Sequence, residues 1–145
     1  MAHPIADRNA RSLVELRERH AAYFASIDEH LKKLNEKLNT KAIYVTPVGQ
    51  AVLALREKVS AGEAPGIKQQ TDLFTDPIGH ATPTIQVLAT YCHFAVIYRR
   101  SPVGLPMPAV LAKAKPPTDP ALLKMFQELA WQAAIQHPLS GVKAE

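Results

Sequence analysis

Thr82-Pro-Thr-Ile-Gln-Val-Leu-Ala-Thr-Tyr-Cys-His-Phe-Ala-Val-Ile-Tyr-Arg99 is the stretch on which the fold turns. Threonine before proline predicts a helix start. The hydroxyl can cap the first turn, and proline at the first helical position gives up an N–H that has no partner there. Residues 85–98 are then apolar except for Gln86, Thr90 and His93. A bilayer span needs roughly 20 predominantly apolar residues, more than this segment holds. The stretch reads as the buried helix of a soluble protein, with no membrane role, around which the rest of the chain packs.

Upstream, Ser12-Leu-Val-Glu15 matches a capping box. Behind it Leu13, Leu16, His20, Phe24, Ile27, Leu31, Leu34 and Leu38 recur every three or four residues. That spacing predicts a long helix with one apolar stripe, ended by Asn39-Thr40. The stripe reads as a core face before a coiled-coil seam. Residues 41–46 contain Ala-Ile-Tyr-Val, a β-branched and aromatic run that reads as a short strand. Thr46-Pro47 opens a second helix with Val48, Val52, Leu55 and Val59 on its apolar side, closed by Gly62. Residues 64–79 form a loop.

Downstream, residues 101–117 are punctuated by Pro102, Pro106, Pro108, Pro116 and Pro117 and read as a loop. Asp119-Pro120 caps a last helix carrying Leu122, Leu123, Phe126, Leu129, Ala130 and Ala133. It stops before His137-Pro138, because a residue preceding proline avoids the helical region. The expected class is therefore mainly α, four helices with one short strand. A lone strand makes no sheet within one chain. It is either a stray extended segment or an edge that pairs with a second copy in a homo-oligomer.

The chain of 145 residues has the size of a single domain, residues 1–145. Apolar content of 47% and charged content of 21% are ordinary for a globular chain. The formal charge of +4 is spread thinly, with only Lys32-Lys33 and Arg99-Arg100 as pairs, so no nucleic-acid partner is expected. One cysteine, Cys92, excludes an internal disulfide. Residues 1–10 lack the apolar core of a signal peptide, which leaves the localisation open. His80, His93, Cys92, His137, Asp72 and Asp76 are chemically suitable metal ligands, but their spacing matches no metal motif. No metal and no cofactor is expected.

Asp76-Pro-Ile-Gly-His80 puts an acid and a histidine on one tight turn at the mouth of the apolar helix, a common way to present a general base. Take together Gln69-Gln-Thr-Asp-Leu-Phe-Thr-Asp-Pro-Ile-Gly-His80, the helix with Tyr91-Cys-His-Phe-Ala-Val-Ile-Tyr98, and Ser101-Pro-Val-Gly-Leu-Pro106. These blocks resemble the C-terminal part of an SGNH (GDSL-type) hydrolase. The resemblance implies a truncated α/β/α unit, descent from ester hydrolases and a small ester as substrate. It implies His80 as general base and Asp76 as the residue that orients its ring.

Two departures from that family stand in the sequence. Its acid and base are usually separated by two residues, whereas Pro77, Ile78 and Gly79 lie between Asp76 and His80; Asp72 is the alternative acid. The family's nucleophile block lies upstream of its Asp/His block, and Ser12, Ser26, Ser60, Ser101 and Ser140 are in no such setting. The competing reading is a non-enzymatic helical oligomerisation or interaction module built on the first helix and the lone strand.

Overall fold

The computed structural model describes residues 10–76, 79–113 and 118–144. Its helices are α1 (Leu13–Lys37), α2 (Val48–Ser60), α3 (Pro83–Tyr98), the single turn α4 (Ala109–Ala112) and α5 (Pro120–Gln136), with a 3-10 turn at Gln70–Leu73 between α2 and α3. The chain divides into two compact units, Met1–Ile43 and Tyr44–Glu145. Residues 1–9, Pro77, Pro116 and Pro117 lie outside the described residues.

The helix ends form where side chains satisfy orphan backbone groups. Thr82 Oγ1 accepts the N–H of Ile85 at 3.4 Å, with Pro83 at the start of α3. Asp119 Oδ1 accepts the N–H of Ala121 at 2.8 Å ahead of Pro120 in α5. Ser12 Oγ accepts the N–H of Glu15 at 3.1 Å, but Glu15 reaches back to the N–H of Arg11 and not to that of Ser12. The Ser12 box is thus half formed, one residue out of register. At the other end of α1 Asn39 takes a left-handed φ of 49°. The N–H of Thr40 then reaches the carbonyl of Asn35, and that of Asn39 the carbonyl of Glu36. Gly62 closes α2 by the same two-bond pattern.

In the second unit α2, α3 and α5 pack pairwise on one another. Ala51, Leu55 and Val59 meet Ile85, Leu88, Tyr91 and Cys92 from α3 and Leu122, Phe126 and Ala130 from α5. Leu73 and Leu111, from the connections, complete this core. A smaller cluster of Ala95, Val96, Ala134 and Val142 lies at the C-terminal end of α3, with Trp131 and Ile135 packed against it. The burial expected of α3 holds on one broad face. Its last turn does not follow: Ile97 and Tyr98 are 67% and 63% exposed. In the first unit, α1 carries no fully buried residue, and its stripe is at best half-buried.

The mainly helical class holds, but two details are corrected. Among the described residues there are five α-helices, because Pro108 starts the extra turn α4 inside the proline-rich connection. Residues 41–46 form no strand. The Asn35 amide occupies both the N–H and the carbonyl of Ile43, at 3.0 and 2.9 Å, and the N–H of Val45 goes to the carbonyl of Leu139 at 2.9 Å. A side chain and one isolated bond thus take backbone groups of Ile43 and Val45 that a β ladder would have used.

Candidate functional site

The loop between α2 and α3 is held at both limbs. On the first limb, Arg56 of α2 donates from Nε to Gln70 Oε1 at 2.9 Å, and Gln70 Nε2 donates to the carbonyl of Arg56 at 2.7 Å. The Arg56 guanidinium lies over the Phe74 ring, 5.8 Å from its centroid, and Leu73 is fully buried beneath. On the second limb Thr82 caps α3, and Gln86 Nε2 donates to the carbonyl of Ala81 at 3.1 Å. Phe74 and Ala81 form an isolated antiparallel bridge across the limbs. The N–H of Thr75 meets the carbonyl of His80 at 2.8 Å, and the N–H of Thr82 meets that of Leu73 at 3.2 Å.

Asp76 and His80 sit at the tip of this clasp. Gly79 takes φ +94°, a backbone conformation that side-chain-bearing residues rarely adopt, and so turns the chain back within the extra residue of the spacing. Asp76 Oδ1 accepts the N–H of Gly79 at 3.0 Å and that of His80 at 3.2 Å. Asp76 Oδ2 contacts His80 Nδ1. A carboxylate on Nδ1 fixes the tautomer with the proton there and leaves the Nε2 lone pair as the acceptor. The imidazole is 70% exposed.

Asp72, the other candidate acid, is spent elsewhere. Its Oδ2 accepts the N–H groups of Lys68 and Gln69, both at 3.1 Å, in a reciprocal cap of the 3-10 turn. The Lys68 N–H first, and then that of Gln69, hold its carboxyl below the ordinary range.

The remaining candidates stay apart. Cys92 is buried, and desolvation pushes its thiol up to about 12, so it supplies no thiolate. His93 Nδ1 bonds the carbonyl of Ala89 at 2.8 Å on the exposed side of α3. His137 is buried, and its Nδ1 accepts the N–H of Leu139 at 3.2 Å. Among the described residues no three His, Cys, Asp or Glu side chains gather as a metal site.

Nor does a described serine hydrogen-bond to His80. Ser140 is buried, donating to the carbonyl of Ala134 and accepting from the N–H of Val142. Ser101 accepts the N–H of Val103 at 3.2 Å. Sequence reasoning missed the Arg56–Gln70 clasp, because bonds across that separation leave no local pattern. The one signal was the unusual density of amide side chains at Gln69-Gln70. No protein-family model, curated protein or solved structure matches the chain.

Proposed function

We propose that the loop of Asp76 and His80 is the acid–base end of an ester hydrolase of SGNH (GDSL) type, in a unit that is a truncated form of that family's α/β/α domain. The observation that carries this reading is the Asp76 carboxylate on His80 Nδ1, anchored by two backbone N–H groups, on an imidazole that is largely exposed. The substrate class is a small ester. Catalysis begins when Nε2 takes the proton of a serine hydroxyl as its oxygen bonds to the ester carbonyl carbon. The tetrahedral intermediate collapses, the ester C–O bond breaks, and the imidazolium returns the proton to the leaving alkoxide. Water, deprotonated by the same Nε2, then releases the acid and restores the serine. None of Ser12, Ser26, Ser60, Ser101 and Ser140 stands in the setting of that family's nucleophile block.

The test has two parts. Nitrogen-15 spectra of the imidazole are expected to show the Nδ1–H tautomer for His80, lost in Asp76→Asn; an Nε2–H tautomer in the wild type rejects the pair. Any hydrolysis of p-nitrophenyl acetate by the wild type is expected to fall about 100-fold or more in His80→Ala, the usual scale of a general base. Turnover that survives His80→Ala rejects the catalytic role, and no turnover in the wild type marks the chain as a hydrolase remnant without its nucleophile.

A second reading rests on α1. A helix of 25 residues with an apolar stripe and no fully buried residue suits a non-enzymatic interaction module that forms a homo-oligomer. Light scattering at micromolar concentration decides it: a mass above the monomer supports the module, and a monomer mass rejects it.

A further inference from the structure

The end of α3 farthest from His80 carries a different set of groups. There the second unit opens a cleft of about 340 Å³ lined by Arg99, Arg100, Ser101 and Trp131. The 16 residues of α3 put roughly 24 Å between it and the Asp76–His80 loop. A small ester bound at His80 does not reach it.

The cleft is built from held parts. Arg99 ends α3 in the left-handed conformation, φ 54°, a place that glycine or asparagine usually fills. Its side chain accounts for the choice. The guanidinium donates from Nη1 to the carbonyl of Gly141 and lies 4.4 Å from the centroid of the Tyr44 ring. One cation is thereby fixed in the wall, and the turn delivers Arg100 and Ser101 to the opening. Arg100 is exposed. Ser101 Oγ accepts the N–H of Val103, which leaves its own O–H as a donor. Trp131 packs against Ala95, Val96, Ala134 and Val142, so its ring is a rigid platform that also brings an indole N–H.

The local charge is one-sided. Of the residues that line the cleft, Arg99 and Arg100 carry a formal charge, and both are cations. Glu128, one turn before Trp131 on α5, is paired with Lys124 at 3.7 Å. The C-terminus of α3 contributes about half a negative charge, against a full positive charge on each guanidinium. The balance in the cleft is therefore cationic, beside a flat aromatic wall.

We propose that this cleft is a second ligand site, for an oxyanion (phosphate, sulfate or carboxylate) carried on a flat ring. Arg100 and the Ser101 hydroxyl take the oxyanion, and Trp131 stacks on the ring. The proposal is independent of the esterase reading and survives its failure.

Trp131 is the single tryptophan of the chain, so its emission reports on the site. The full chain is titrated with phenyl phosphate, phenyl sulfate and benzoate, and with inorganic phosphate and phenol as the separate halves. Calorimetry on the same pairs covers a silent fluorophore. At least one ring-borne oxyanion is expected to bind saturably, at least tenfold more tightly than either half, and the tightest names the oxyanion. Arg100→Gln is expected to weaken it at least tenfold with an unchanged helical circular dichroism spectrum. Absence of both heat and emission change overturns the proposal. So does inorganic phosphate binding as tightly as phenyl phosphate, or unchanged affinity in Arg100→Gln.

Discussion

Asp72 and Asp76 are near neighbours in sequence and use their carboxylates differently. Asp72 spends one oxygen on the N–H groups of Lys68 and Gln69, while Asp76 divides its oxygens between backbone and the His80 ring. Both were legible as loop acids before a histidine. Which one meets the ring was not, because it depends on the φ of Gly79 and on where each carboxylate finds backbone donors. The consequence for Asp72 is a pH dependence. Its carboxyl is held below the ordinary 3.8 in the folded chain, so the unfolded chain takes up the proton first. Its contribution to stability is therefore complete above that value and is lost as pH falls through the lower folded one. Denaturant melts over this acid range are expected to show a steeper decline for wild type than for Asp72→Asn. Equal slopes would remove the capping role from Asp72.

At the scale of elements, local chemistry was the readable part. Thr82-Pro83 and Asp119-Pro120 start helices because capping is decided within one turn. The short strand was misread because a β-branched run says only that a segment suits an extended backbone; a ladder needs a partner, and Asn35 took its place. The stripe of α1 has helical periodicity, yet periodicity does not say how much covers it. Leu31 and Leu34 are half-buried whereas Phe126 of α5 is fully buried. Phe126→Ala is expected to cost about 3–5 kcal/mol. Leu31→Ala or Leu34→Ala should cost about 1–2 kcal/mol, under the range for full core positions. Equal losses in denaturant melts would put α1 in the core.

One position ties together the two ends of the second unit. Gly141 has φ +70°, and a Cβ added there would lie 2.6 Å from Tyr44 Cε1 and collide with Arg99 Nη1. Gly141→Ala combines a left-handed penalty of about 1–2 kcal/mol with displacement of the Arg99 guanidinium. It is expected to lower the melting temperature and also to weaken any ligand of the Arg99–Trp131 cleft, while leaving the His80 tautomer unchanged. A substitution that shifts neither stability nor cleft binding would show that the contact of Arg99 with the tail is slack.

For the whole molecule, the question is what each unit needs from the other. In the unit Tyr44–Glu145 the first and last segments close on each other: Val45 bonds Leu139, and Arg99 joins Tyr44 to Gly141. Its core draws on α2, α3 and α5 with the intervening connections. Everything that positions Asp76 and His80 lies inside it. A fragment of residues 44–145 is therefore expected to unfold in one cooperative transition and to keep the His80 tautomer of the full chain. Among the described residues of the unit Met1–Ile43 there is no such closure. Its helix carries no fully buried residue, and a helix in a protein draws most of its stability from packing an amphipathic face rather than from propensity. If α1 is the self-association element of the second reading, light scattering at micromolar concentration will give the full chain a mass above the monomer and the fragment a monomer mass. The same mass per chain in both would take the interaction role away from α1. A fragment that fails to unfold cooperatively would show that α1 completes the core, and would move the stripe from a surface for partners to a structural face.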